Sequence, residues 1–309
     1  MSLAEPISSV LIVGYGSIGG KHFRLLTEKE IEVGVVSQSE PDVPMVFSSI
    51  AEALEFKNWS AVFICTPTNL HLQNLAILSE IDYRGIVIVE KPIVHKTCEL
   101  PKNSFRALLT AYNLRFHPVV LGLKDLIEGE QLLDMNFYVG QFLPTWRECD
   151  YRKVYSSRAS QGGGVLLDLS HEIDLSQWIA GVAIEMTALG GKYSNLEIDS
   201  EDSFDILLRT EKCPKVHISL NYLDRIGQRR IIVNTCSETY VADLVSNTIQ
   251  TSEGEIKFPG EPLASLDSQI EAIIDSRFGQ FCAPNDAMRI VQIVERAKKC
   301  SSGLEWVTL

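Results

Sequence analysis

The sequence predicts a doubly wound α/β domain with a parallel sheet, followed by an α+β domain built on a large open, mainly antiparallel sheet. Three observations predict it. Over the first third, short β-rich runs alternate with helical stretches. A Gly14-x-Gly16-x-x-Gly19 turn separates the first run from the first helix. Beyond Pro118, strand-like runs follow one another without intervening helices.

Taken in order, Ile7 to Val13 is a continuous apolar run ended by glycine, as a strand buried on both faces requires. Gly19 to Lys29 reads as a helix, Glu32 to Ser37 and Met45 to Ser48 as strands, and Ile50 to Phe56 as a helix. Ala61 to Cys65 is a buried strand followed by a helix over Leu70 to Ile81; Gly85 to Val89 and Arg106 to Tyr112 complete six strands. Strands joined by helical crossovers imply a parallel sheet, and six of them complete a Rossmann layer. The domains are expected at 1–117 and 118–309. In the second, Val119 to Gly129 is helical and Leu132 to Gly140 extended, with an irregular loop from Thr145 to Gly164 and one helix over Val165 to Ile179. Strands are expected at Glu185–Tyr193, Asp202–Thr210, Lys215–Leu223, Gln228–Thr235, Thr239–Asp243 and Thr248–Ser252. Helices over Leu266–Arg277 and Ala287–Cys300 follow, with Asn285 or Asp286 as N-cap of the last.

At 309 residues, two domains are the natural expectation, and the 45% hydrophobic content suffices for a sizeable core. No apolar stretch approaches a membrane span, and Met1 to Ser9 shows no secretory pattern. A net charge of −12 opposes binding to nucleic acid or an anionic membrane over the whole surface. The seven cysteines are dispersed without C-x-x-C spacing, so reduced thiols in the cytoplasm and no metal site are expected.

In the glycine turn, the first glycine permits a tight turn, the second lets backbone approach a pyrophosphate, and the third packs helix against strand. The following helix offers unpaired N–H groups and a positive dipole end to phosphate. Its strand–turn–helix setting favours a dinucleotide site over a merely structural turn, with Gly14, Gly16, Ser17, Ile18 and Gly19 in contact. Where an NAD-binding strand would end in a carboxylate, this one ends in Ser37-Gln38-Ser39. Losing the carboxylate removes repulsion against a 2′-phosphate, which tilts NAD(P) slightly towards NADP, while no arginine stands there to settle it. Solvated loop residues remain the alternative reading.

Further along, Cys65-Thr66-Pro67-Thr68-Asn69-Leu70-His71 follows the fourth strand, Glu90-Lys91-Pro92 ends the fifth, and Asn113-Leu114-Arg115-Phe116-His117-Pro118 ends the sixth. Gly162-Gly163-Gly164-Val165-Leu166-Leu167-Asp168-Leu169-Ser170-His171-Glu172-Ile173-Asp174 comes later. With Lys21-His22 behind the glycine turn, this ordered set resembles the Gfo/Idh/MocA oxidoreductases over essentially the whole chain. Thr66, Pro67, Lys91 and Asn113 fall at carboxyl ends of strands, where open α/β sheets bind ligands. The resemblance implies that Thr66, Pro67, His71, Glu90, Lys91, Asn113, Ser37 and Gln38 line the cofactor. His71 taken by itself reads as a packing histidine. The resemblance also implies that Lys91 contacts a reacting hydroxyl and that the Lys91–Pro92 bond is cis.

Asp168 and His171 lie three apart in the expected helix and would share a face, a carboxylate orienting an imidazole base. A helix cap or satisfied histidine is the structural alternative. Many relatives place the aspartate four residues before the histidine, so Asp168 is less firmly a substrate ligand than His171 a base. Arg147, Tyr151 and Arg152, with Arg115, could bind an anionic substrate; an exposed loop or subunit contact explains the loop residues equally well. The implied activity is hydride transfer between NAD(P) and a secondary alcohol of a sugar, sugar acid, nucleotide sugar or cyclitol by a homodimer or homotetramer. A non-catalytic NAD(P)-binding sensor is the competing class, since it needs only the glycine turn. An enzyme using the nicotinamide transiently is a third.

Overall fold

The computed structural model describes residues 7–146, 148–261, 263–301 and 307–308. The chain forms two compact units, one comprising residues up to Asn113 together with Ser265–Met288, the other Leu114–Ala264 and the residues from Arg289 onward.

In the first unit the elements run β1 (Ser9–Val13), α1 (Ser17–Glu28), β2 (Glu32–Val36), β3 (Val46–Phe47), α2 (Ile50–Phe56), β4 (Ala61–Ile64), α3 (His71–Glu80), β5 (Ile86–Glu90) and β6 (Ala107–Ala111). Among the described residues they give a six-stranded sheet in the order β3-β2-β1-β4-β5-β6, parallel throughout. Every residue of β1 and β4 is buried, which is why these strands read as unbroken apolar runs rather than alternating ones. Helix α2 starts at a reciprocal cap: Ser49 Oγ accepts from Glu52 N at 3.2 Å, and Glu52 Oε2 accepts from Ser48 N at 2.8 Å.

The second unit opens with α4 (Pro118–Leu126) and β7 (Leu132–Gly140). Short 3₁₀ turns then lead to two helices, α5 (Val165–Asp168) and α6 (His171–Ala180). Strands β8 (Ala183–Gly191), β9 (Ser203–Thr210), β10 (Val216–Asn221), β11 (Gln228–Thr235), β12 (Thr239–Asp243), β13 (Thr248–Thr251) and β14 (Gly254–Lys257) follow. With β15 (Val307–Thr308), the described residues give a nine-stranded sheet ordered β14-β13-β12-β11-β7-β10-β9-β8-β15. All its pairings are antiparallel except β7 with β10. Met135, Phe137, Val139, Ile206, Ile218, Leu220, Ile231 and Val233 form its buried face, against which α5 and α6 pack. Strand period 2 sends Asn136, Tyr138, His217, Ser219, Arg230 and Ile232 to the other face, where they line a groove of about 400 Å³.

Helix α7 (Ala264–Ile274) returns to the first unit, where Lys29 at the end of α1 pairs with Asp267 at 2.9 Å and Glu271 at 3.0 Å. Thr110 N also donates to Cys282 O at 3.0 Å. Helix α8 spans Pro284–Cys300, so Asn285 and Asp286 lie inside its first turn rather than capping it. Proline at the first helical position has no N–H to leave unsatisfied and sets the start three residues before Ala287. None of the described helices is long and apolar enough to cross a membrane.

Helix α4 begins at His117, whose Nδ1 accepts from Val119 N at 3.3 Å, with Pro118 at its first position. Burial first, and the Arg229 charge second, push the His117 imidazole down to about 4 from its usual 6.5. Between those values the unfolded chain takes a proton that the folded chain refuses, so stability falls as pH drops through this window. Asn keeps the cap without titrating. Denaturant unfolding at pH 7.5 and 4.5 is expected to show His117→Asn losing roughly 2–3 kcal/mol less than the wild type. Equal losses would contradict the assignment.

Candidate functional site

The glycine turn shows a different physical need at each glycine. Gly14 has φ +100°, and a Cβ there would lie 2.9 Å from the Cys65 carbonyl and from Thr66 N. At Gly19 a Cβ would meet Gly14 O at 2.2 Å, so the helix could not close on the turn. Gly16, at φ −83° and ψ −165°, has no such conflict, and a Cβ there would find no protein atom within 4 Å. The fold needs glycine at 14 and 19, while position 16 opens onto space that a ligand backbone or phosphate can occupy. Gly16 is also the N-cap of α1, supplies no side-chain cap, and no acid stands in the helix's first turn. The first N–H groups of α1 are therefore suited to an anion. Ser17 is exposed and Ile18 half-buried beside them. These residues fit a dinucleotide pyrophosphate.

At the end of β2, Ser37 Oγ accepts from Ser39 N at 3.2 Å, and the two hydroxyls are 3.0 Å apart. Gln38 is exposed between them. Two hydroxyls thus converge at the end of β2.

Two buried histidines tie together the loops at the carboxyl ends of β1, β4 and β5. His22, on α1, is fully buried and sets Nε2 2.7 Å from Glu90 Oε1, while Glu90 Oε2 accepts from Lys91 N at 3.3 Å. His71, the first residue of α3, is 1% exposed, with Nε2 2.9 Å from Thr66 O and Nδ1 3.0 Å from Pro92 O. The desolvation of its ring lowers the His71 pKa, against the opposing pull of those carbonyls and the Glu90 charge. Both His71 and Glu90 therefore have partners within the protein. His71 is enclosed with both nitrogens at carbonyls, and the Glu90 carboxylate faces His22 and the Lys91 amide. Asn74, a turn along α3, donates from Nδ2 to Thr66 Oγ1 at 3.0 Å. Pro67 is exposed, Lys91 is half-buried and the Lys91–Pro92 bond is cis. Asn113 donates its side-chain amide to Ser265 Oγ at 2.8 Å. His22, Cys65 and Glu90 bring potential metal-ligand atoms within 4.8 Å of one another. The His22–Glu90 hydrogen bond accounts for two of the three, and burial with the Glu90 charge raises the Cys65 thiol pKa.

In the second unit the expected single helix over 165–179 is broken. α5 ends at Asp168 and α6 begins at His171, so the two do not share one helical face. Ser170 supplies a physical reason, since its hydroxyl donates back to Leu167 O at 2.9 Å and competes with helix continuation. The turn before α5 contains Gly164 at φ +122°, where a Cβ would meet the Glu201 carboxylate. Asp168 and His171 are both buried, at 3% and 9% exposure. Asp168 Oδ2 accepts from Tyr222 Oη at 2.6 Å. Burial, then the Asp168 charge, raises the Tyr222 phenol well above its usual range. The Trp146 ring stands 5.9 Å from that of Tyr222.

Sequence reasoning missed Tyr222, yet a signal was present. Val216, Ile218 and Leu220 alternate inward on β10, and continuing that period buries the tyrosine, whose hydroxyl then needs an acceptor. It also missed the adjoining pair Glu172–Arg229, at 2.8 Å with Glu172 buried.

The anion-binding expectation changes most. Arg147 lies outside the described residues. Arg152 is half-exposed but pairs with Asp150 at 2.8 Å and with Glu197 at 3.5 Å, and it holds the Asp150 carboxyl below its usual range. Tyr151 Oη accepts from Glu197 N at 3.3 Å. These acids neutralise much of the local positive charge. Arg115 is 4% exposed and grips Asp174 through Nε at 2.9 Å and Nη2 at 2.6 Å, beneath the Trp178 ring. A buried guanidinium already matched by a carboxylate is a packing element.

Residues 120–239 match the family model described as the GFO/IDH/MocA C-terminal domain. A sequence comparison with curated proteins returns no match. Among solved structures, GenD2 from gentamicin A biosynthesis, in complex with NAD, is similar over 100% of this chain and 98% of its own, with 20% identity and a TM-score of 0.79. A levoglucosan dehydrogenase in complex with NADH and levoglucosan is similar over 97% of this chain and 98% of its own, with 15% identity and a TM-score of 0.80. An oxidoreductase from Desulfitobacterium hafniense, described as NADPH-dependent, is similar over 98% of both chains, with 15% identity and a TM-score of 0.80. At these identities the likeness is one of fold.

Removing Arg115 leaves the Asp174 carboxylate buried without its guanidinium. Arg115→Ala is expected to cost about 3–5 kcal/mol in denaturant unfolding. The Arg115→Ala/Asp174→Asn double variant should lose less than the sum of the singles. Additive losses, or an unchanged midpoint in Arg115→Ala, would contradict the pairing.

Proposed function

We propose that this chain, which over residues 120–239 carries a GFO/IDH/MocA C-terminal domain, is an NAD(P)-dependent oxidoreductase acting on a secondary alcohol of a sugar, sugar acid, nucleotide sugar or cyclitol. The observation that carries the reading is the Gly16 position, where the space a Cβ would fill meets no protein atom, at the uncapped start of α1. Relatives in fold solved with NAD, or with NADH and levoglucosan, support the cofactor class and the carbohydrate-type substrate.

Gly14, Gly16, Ser17, Ile18 and Gly19 would hold the pyrophosphate, with Thr66 and Pro67 alongside. When bound, the nicotinamide supplies the two-electron acceptor or donor that no side chain offers. Lys91 supplies a fixed positive charge for the oxygen that becomes an alkoxide. His171 takes the hydroxyl proton as the general base. Asp168, already accepting from Tyr222, orients the base or binds a neighbouring hydroxyl. Glu90 and His22 set the backbone at Lys91 and so act on its placement.

Ser37 and Ser39 support a slight preference for NADP, because their hydroxyls can donate to a 2′-phosphate that a carboxylate would repel. A homodimer or homotetramer using the open sheet of the second unit completes the proposal, and sedimentation at micromolar concentration returning only monomer would count against it.

Once a substrate is identified by screening sugars, sugar acids, nucleotide sugars and cyclitols for nicotinamide absorbance change, Lys91→Ala should lower kcat by at least about 10²-fold. Its NADPH affinity, read by fluorescence titration, should change little. Unaltered turnover would sink the role of Lys91. Ser37→Asp should shift the NADPH/NADH affinity ratio towards NADH by at least about tenfold, through repulsion of the 2′-phosphate; an unmoved ratio would place the adenosine ribose elsewhere.

A further inference from the structure

We infer that Asn74 is a positioning residue for the cofactor, acting through the Thr66 hydroxyl. The inference rests on the dinucleotide reading above and goes beyond it by naming a residue with no expected contact to the ligand.

Thr66 follows β4 and lies directly against the glycine turn, its backbone N 2.9 Å from where a Gly14 Cβ would stand. Two residues of α3 hold it. His71 Nε2 is 2.9 Å from Thr66 O, and Asn74 Nδ2 donates to Thr66 Oγ1 at 3.0 Å. Positions 71 and 74 are three apart on a helix, so both face the same loop. The two contacts fix different things. His71 anchors the peptide, whereas Asn74 fixes the hydroxyl rotor.

A hydroxyl has one proton and two lone pairs. With the amide N–H donating to a lone pair, the Thr66 proton points away from Asn74. Thr66 is half-buried, so that proton is available to an acceptor outside the protein core. A phosphate or ribose oxygen at the glycine turn is such an acceptor. The side chain of Asn74 therefore sets the polarity of a hydrogen bond that it does not itself make. Without it the rotor is free, and ordering it becomes part of the cost of binding.

A double-mutant cycle tests this with binding as the readout, independent of any substrate. NADH and NADPH affinities are measured by fluorescence titration for wild type, Asn74→Ala, Thr66→Val and the double variant. Asn74→Ala is expected to weaken binding about three- to tenfold, as losing one neutral hydrogen bond does. In the Thr66→Val background the same change should have no further effect, because no hydroxyl remains to orient. Asn74→Asp, which only accepts, should draw the Thr66 proton inward. It should therefore weaken binding more with Thr66 present than in Thr66→Val, where its charge alone acts. Thermal melts check that each variant folds, and the Asn74→Asp cycle carries the test should Asn74→Ala fail to fold. Unchanged affinity in Asn74→Ala, or an equal loss in both backgrounds, overturns the role of Asn74. A wild type that binds neither dinucleotide overturns the functional reading on which it stands, so the two failures are distinguishable.

Discussion

The cofactor end of the first unit depends on a close approach of two backbones. The peptide between Cys65 and Thr66 lies so near Gly14 that a single added carbon would stand 2.9 Å from it, and Gly19 fits only because Gly14 O has no Cβ to meet. The turn therefore lies hard against the end of β4, and the loop after β4 has to be held where the turn needs it. His71 and Asn74 do that from α3, and His71 reaches on to Pro92. His22 on α1 closes the circuit to Glu90, whose carboxylate takes the Lys91 amide. Fixing one backbone approach thus fixes the placement of the lysine two strands away. His22 does this through Nε2 alone, whereas His71 brings Thr66 O and Pro92 O to one ring.

In the second unit the corresponding constraint is the break between α5 and α6. The Ser170 back-bond stops the chain from forming one continuous helix, so Asp168 ends one helix and His171 begins the next. Asp168 is then free to meet Tyr222 on β10, and His171 occupies a helix start. Burying a carboxylate is costly without donors, and Tyr222 supplies one at 2.6 Å. Arg115–Asp174 and Arg229–Glu172 match the other buried charges nearby.

Fold class was legible because the strands are buried in two distinguishable ways. β1 and β4 are covered on both faces and read as unbroken apolar runs, while β9 and β10 alternate. The parallel pairing of β7 with β10 was not legible, since alternation says which face a residue takes and nothing about strand direction. β14 was missed because all four of its residues are exposed and carry no pattern. At the site, the glycine turn and the strand-end positions were readable from local chemistry. The inward turn of Arg115 was not, because the partner that buries it lies 59 residues on. The histidine contacts at positions 22 and 71 depend likewise on loops from separate strands. Spacing within one segment carries no trace of such pairs. The break between Asp168 and His171 was not legible for a different reason: it turns on Ser170 bonding back to Leu167, which helical spacing does not reveal.

The central claim is that Gly16 is glycine for a ligand's sake, whereas Gly14 and Gly19 are glycine for the fold's. Titration of the wild type and Gly16→Val with NADH and NADPH, followed by fluorescence with thermal melts alongside, tests it most directly. The account predicts a wild type that binds at least one dinucleotide, and a Gly16→Val variant that melts with the wild type yet binds at least about tenfold more weakly. A variant that binds as tightly as the wild type, or a wild type that binds neither dinucleotide, would contradict it.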